Sequence, residues 1–352
     1  MTTALAIVAA VLSVSLLIIV HEAGHYLAAR RFGMGVERFS VGFGPVLFAF
    51  RRGGTEFAVS ALPLGGYVKI AGMAPGEAKE SSDRRLFANQ PAWRRFVVIL
   101  AGPAMNYLAA VLVAWGLLAT LGLRAPDASA RVGGLVPGMP AEAAGLQPGD
   151  RITSVAGKPV ATWAELVAEL QRRPGQEVTL ELLRGEESAA QRLAVAITPR
   201  DVGGVGRVGV AQPTVLVRKG PGEALVEGIR RTNASAALQL QAFGSLFSRK
   251  QRLEGVEGPV GIARQLVRGA QAGIEPFLGL VWTISVVLAI LNLLPFPALD
   301  GGRLVFLGYE IVTRRRVNEQ VEHVFHLVGF FILVGLILAV TVFGDLPRLF
   351  GR

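Results

Sequence analysis

Runs of apolar residues long enough to cross a bilayer occur four times, at 2–20, 96–123, 276–299 and 327–344, where a spanning helix needs about 20 residues at 1.5 Å each. The first run carries no charge and continues, helix-compatible, through His21-Glu22-Ala23-Gly24-His25 to Arg30. After it, runs at 37–43, 46–50 and 56–61 surround the turn Arg51-Arg52-Gly53-Gly54, which predicts a β-hairpin at the membrane surface within 36–70. Between the second and third spans the composition is ordinary and polar. There 131–136, 177–183 and 193–198 read as strands and 163–171 as a helix, predicting a small α+β domain over 126–200. The stretch 201–250 reads as a linker followed by a helix, because Val226, Ile229, Ala236, Leu240, Phe243 and Phe247 recur at helical spacing with a polar opposite face. Such a helix lies on the membrane or packs on the soluble domain. The expected fold is therefore an α-helical membrane protein of four transmembrane helices with a membrane-associated β region, plus one α+β domain. Segment 2–123 holds the first two spans and 251–352 the last two.

Composition agrees with this division: 51% of the 352 residues are hydrophobic and 18% charged. No cysteine is present, which removes disulfides, thiolate metal sites and cysteine nucleophiles together. The net charge of +10 is spread over loops rather than gathered with aromatic residues in one patch, so nucleic acid is excluded as a partner. The charge reports topology instead. Eleven Lys and Arg lie between 30 and 95, and Arg303, Arg314, Arg315 and Arg316 follow the third span, placing both regions in the cytoplasm and the termini and the 126–200 domain outside. The first run lacks a basic leader and an A-x-A-like cleavage site, so it is expected to be a retained span.

The chemistry begins at His21-Glu22-Ala23-Gly24-His25. On a helix the i,i+4 spacing puts both imidazoles on one face, where they can share a metal ion, with Glu22 about a quarter-turn away. Ionisable side chains inside a span are costly and mark function. A catalytic zinc needs a third protein ligand and an open position. Asp300 is the candidate, because both runs enter from outside and the chain reaches His21 about 19 and Asp300 about 24 residues later, at a similar depth. Pro295 and Pro297 must break the third span just before it, and non-helical backbone at that depth must be buried or line a watery cavity. Asn292 offers an amide to freed backbone groups, to substrate or to a developing oxyanion. His323 and His326 are weaker metal candidates, read as part of a polar turn before the fourth span.

These stretches resemble the site-2 proteases, intramembrane zinc metalloproteases, and in particular the bacterial regulator-of-sigma-E protease branch. The resemblance rests on His21–His25, on 57–72 (FAVSALPLGGYVKIAG), on 101–106 (AGPAMN), on 258–263 (GPVGIA) and on 292–302, in the family's order over nearly the whole chain. It implies His21, His25 and Asp300 as ligands of one zinc ion, Glu22 as the catalytic carboxylate, and Asn292 as a residue contacting substrate or transition state. Pro295, Gly65 and Gly66 complete the expected substrate-contacting set. Segment 135–157 (LVPGMPAEAAGLQPGDRITSVAG) resembles a PDZ domain, with Met139 and Ala156 standing where Ser and Asn are usual. One such module fits here, where the family's best-known members have two.

The reaction implied is hydrolysis of a peptide bond in or beside the transmembrane helix of a single-span protein, of anti-sigma-factor or remnant-signal-peptide type, in a bacterial inner membrane. Peptide ends are expected at the PDZ groove. The hairpin's edge is expected to take an unwound substrate strand. A membrane scaffold would leave Glu22 and Asp300 as unpaired charges, and a metal-ion transporter would need inverted repeats that the sequence lacks.

Overall fold

The computed structural model describes residues 1–73, 82–185, 190–246 and 258–349; Phe247, counted above in the amphipathic helix, lies outside them. Among the described residues, four helices are long and apolar enough to cross a membrane. The first, α1 (Thr3–Arg31), carries the His-Glu motif in its last third. After it, β1 (Val36–Arg52) and β2 (Thr55–Ile70) form an antiparallel sheet. Both strands bend, so that 38–41 of β1 face 56–59 of β2 on one side and 66–69 on the other. The expected hairpin over 36–70 is present, with β2 running on as strand through Gly65 and Gly66. Both glycines are needed by the sheet itself: a Cβ on Gly65 would sit 2.6 Å from the Phe43 ring, and one on Gly66 would sit 2.7 Å from the Ser40 carbonyl. The sheet is fixed to α1 by Tyr26, which packs edge-on against Phe39 and Phe57.

The second span, α2 (Ala92–Ala119), begins four residues earlier than its apolar run, because Pro91 starts the helix and the polar first turn continues it. Its Arg95 donates to Gln90 O and pairs with Glu310, tying the start of α2 to a later helix. After residue 121 the chain enters a separate compact unit, Gly122–Val217. In that unit β3 (Leu123–Pro126), β4 (Gly134–Leu135), α3 (Pro140–Ala143), β5 (Arg151–Val155), β6 (Lys158–Pro159), α4 (Trp163–Gln171), β7 (Val178–Arg184) and β8 (Gln191–Ile197) follow one another. A short hairpin comes next, β9 (Arg200–Val202) with β10 (Val205–Arg207), and then β11 (Val210–Ala211) and β12 (Thr214–Val217). The central sheet has the order β6-β5-β7-β8, while β11 pairs with β4 and β12 with β3. Residues 201–217, expected as linker, therefore belong to the domain; strands of two to four residues carry too little alternation to be recognised.

Two polar devices hold this domain. Thr162 and Glu165 form a reciprocal capping box at the start of α4. Asp150, whose side chain is fully buried, accepts both Nε and Nη2 of Arg184 and the Gln147 N–H, so its charge is paired and its oxygens are filled. At the other end of α4, Glu169 is clasped by Lys158 and Arg173, which pull its pKa from 4.5 down to about 2. A carboxylate depressed this way contributes stability in full above pH 4.5, and the contribution is lost as pH falls toward 2. Glu169→Gln is accordingly expected to lower the domain's urea midpoint at pH 7, with the gap to the native protein closing between pH 4.5 and 2.

In the larger unit, the amphipathic stretch forms α5 (Pro221–Leu246). It runs along α2 and also meets α7: Trp115 donates to Pro221 O, Tyr107 to Asn233 Oδ1, and Trp282 to Thr232 Oγ1. Next come α6 (Pro259–Ala272) and the third span α7 (Ile274–Leu293). Leu17 of α1, Leu266 of α6 and Val281 of α7 share one core cluster. The apolar run to 299 is not all helix. It stops at Leu293, the chain bends and turns through the two prolines, and α8 (Asp300–Thr313) starts at the carboxylate. The fourth span, α9 (Glu319–Ala339), begins eight residues before its apolar run because the Asn318 side chain caps it. His323 and His326 thus lie on this helix and not in a turn. At its far end the buried Asp345 accepts the N–H groups of Gly258 and Val260, free donors at the start of α6.

Candidate metal centre

His21 and His25 face α2, and what lies opposite them is glycine. A Cβ on Gly102 would overlap the His25 imidazole and lie 2.8 Å from His21 Nε2, and one on Gly24 would overlap the Ala101 carbonyl. These two positions let α1 and α2 approach closely, with no side chain from α2 intruding on the imidazoles at Gly102. Gly102→Ala should leave the helix intact, since Ala favours helix, yet cut zinc uptake by an order of magnitude or more. Metal analysis of the purified variant checks this, and unchanged uptake would contradict it.

Asp300 comes to the same point from α8. Its Oδ2 lies 3.0 Å from His21 Nε2 and 3.4 Å from His25 Nε2, and the two Nε2 atoms are 3.2 Å apart. Both imidazoles are buried. His25 Nδ1 donates to the Val98 carbonyl at 2.8 Å, and a carbonyl can only accept, so a neutral His25 presents a bare lone pair at Nε2. Among the described residues these three side chains form the only group of His, Cys, Asp or Glu placed to hold a metal. The donor set of two nitrogens and one oxygen suits zinc. The spacing suits it too, since ligands about 2.05 Å from a tetrahedral ion stand roughly 3.3 Å from one another.

The remaining expected residues are placed as follows. Glu22 lies beside the trio, its Oε2 accepting the backbone N–H of Val68 at 3.0 Å. Asn292 is on the last turn of α7, where its Nδ2 donates to Leu288 O at 3.1 Å. Pro295 is exposed in the bend between α7 and Asp300. Gly65 and Gly66 sit at the bend of β2, with the packing reason given above. His326 does not join the three ligands. Its Nδ1 accepts the N–H of Ala298, a residue in the left-handed region at φ 73°, and so braces the turn that delivers Asp300. A cleft beside Asp300 is lined by Leu299, Arg303, His323, His326 and Phe330. Gly24, Gly102 and Asn106 had no assigned part in the sequence reading; small and amide residues on an apolar helix give no charge signal.

The profile of peptidase family M50 matches residues 9–336. The chain belongs to that family. A protein of Clostridium perfringens described as a candidate zinc metalloprotease is 32% identical over 96% of this chain and 97% of its own length. One with the same description from Brucella suis is 31% identical over 94% and 92%. The zinc metalloprotease RasP of Oceanobacillus iheyensis is 30% identical over 98% of this chain and 99% of its own. This chain is thus an M50 peptidase, of the site-2 protease type, with four helices among the described residues long and apolar enough to span a membrane.

Proposed function

We propose that this chain is an intramembrane zinc endopeptidase that cuts the transmembrane segments of single-span proteins, of anti-sigma-factor or remnant-signal-peptide type, in regulated proteolysis at a bacterial inner membrane. The observation that carries the reading is the convergence of His21, His25 and Asp300 within 3.0–3.4 Å on helices of a membrane-spanning unit. One zinc ion held there supplies Lewis acidity, polarising the scissile carbonyl and acidifying water. The chain's own residues do the rest. Glu22, outside the ligand set and held by Val68, takes the proton of the attacking water and delivers it to the leaving nitrogen. Gly102 keeps a side chain from overlapping the two imidazoles, and Gly24 lets α1 and α2 pack closely beside them. Asn292, at the end of α7, can release Leu288 O and turn its amide to substrate backbone or to the developing oxyanion.

A transmembrane helix has its carbonyls tied up in its own bonds, so it must unwind to react. The outer edge of β2 supports a way to do this: 66–69 pair with β1 on one side, and the Val68 N–H points the other way, toward Glu22. An unwound substrate added along that edge would run beside the catalytic carboxylate. Residues 122–217 are proposed to be a single PDZ-type domain outside the cytoplasm that takes peptide ends, on the resemblance of 135–157 and the positive charge of the loops. Reconstituted in vesicles with a single-span substrate, the protein is expected to yield products whose new ends fall inside the apolar segment and to stop when zinc is chelated. Cuts confined to flanking polar sequence, or cleavage indifferent to chelation, would overturn this reading.

A further inference from the structure

Asn106, 1% exposed on α2, has its amide Nδ2 3.3 Å from Nδ1 of His21, and its Oδ1 is buried without a partner. Its backbone carbonyl accepts Ser285 Oγ of α7 at 2.8 Å, so the residue is seated between two spans while its side chain has a single polar neighbour described. The NH2 end of an amide can only donate. The recorded orientation therefore suits a His21 with a bare Nδ1 and a proton on Nε2, directed at Asp300 Oδ2 and His25 Nε2. A metal bound through Nε2 needs the opposite tautomer, with the proton on Nδ1 and an acceptor facing it. His25 has that acceptor permanently in the Val98 carbonyl. Among the described residues, His21 Nδ1 has only Asn106. The two ends of a carboxamide have nearly the same outline, so half a turn about χ2 exchanges them without displacing a neighbour.

We propose that Asn106 is the positioning residue of the metal centre: turned half a revolution, its Oδ1 accepts Nδ1–H of His21 and holds the tautomer whose Nε2 lone pair faces the ion. An amide serves both tautomers of His21, which neither an apolar side chain nor a carboxylate does, and this accounts for an orphaned oxygen beside a ligand. The inference rests on the zinc peptidase reading and deepens it.

The test is the zinc dissociation constant of the purified full-length protein, measured by competition with a chelator, for the native chain, Asn106→Leu and Asn106→Asp. Leu has the same bulk and no acceptor, and is expected to weaken zinc binding 10- to 100-fold. Asp keeps an acceptor at the same place and is expected to stay within a few-fold of the native value. A purely structural role would move the melting temperatures without separating Leu from Asp in affinity. Leu binding zinc as tightly as the native chain, or Asp as weakly as Leu, would overturn the proposal. Should the Leu variant fail to fold, Asp alone decides, because a tenfold loss there contradicts an acceptor role. A native protein that takes up no zinc would refute the peptidase reading itself, an outcome separate from any ranking of the variants.

Discussion

Glu22→Gln is expected to lower cleavage by roughly 10²- to 10⁴-fold, the range over which a positioned general base acts, while the protein keeps its zinc. Both halves follow from geometry. Glu22 is not one of the three converging donors, so losing its charge removes no ligand. Its Oε2 accepts the Val68 N–H at 3.0 Å, and a glutamine oxygen accepts the same bond, so side chain and strand remain in register. What the amide lacks is the ability to take a proton from water. Cleavage of a reconstituted single-span substrate, measured beside the metal content of the same preparation, separates the cases. Zinc lost together with activity would make Glu22 a structural residue, and activity retained with zinc bound would remove it from proton transfer.

Asp300→Asn is expected to act at the earlier step. Without the carboxylate the site has two imidazoles, and a two-ligand site does not retain zinc in competition with a chelator. Catalysis would then lose the several kcal/mol that a metal contributes, roughly 10³-fold or more in rate. The same substitution should leave the melting temperature of the chelated protein unchanged or raised. Asp300 Oδ2 is buried, and removing a buried charge relieves its desolvation while the first turn of α8 stays intact. Metal content, rate and melting temperature on one preparation form the check. A protein that kept its zinc would show that the third ligand lies elsewhere.

The large features of the fold were readable because a lipid-spanning helix must be about 20 residues of unbroken apolar sequence. Their ends were not, since they depend on single side chains. Asn318 starts α9 and Pro91 starts α2 in sequence too polar to register as membrane span. The third apolar run to 299 leaves the helix at Leu293 and turns to meet a new helix at Asp300, a break that the two prolines marked. In the smaller unit, β9 to β12 were invisible because pairs such as Val210 with Leu135 join segments some 75 residues apart, each too short to show a period. At the site, charge made His21, Glu22, His25 and Asp300 stand out from an apolar background. Gly102 and Asn106 carry no such contrast. Their parts emerge only when α2 is seen packed against α1, where a missing Cβ leaves room and a buried amide meets an imidazole.

Zinc K-edge absorption on the purified protein examines the joint claim about metal and ligands most directly. One zinc per chain is expected, with two imidazole nitrogens and one carboxylate oxygen at about 2.0–2.2 Å, a further light atom completing four-coordination, and no sulfur. Loss of this zinc signal in His21→Ala, His25→Ala and Asp300→Asn, each of which leaves two of the three ligands, would accompany it. A shell of oxygens alone, or a spectrum unaltered by all three substitutions, would contradict the account.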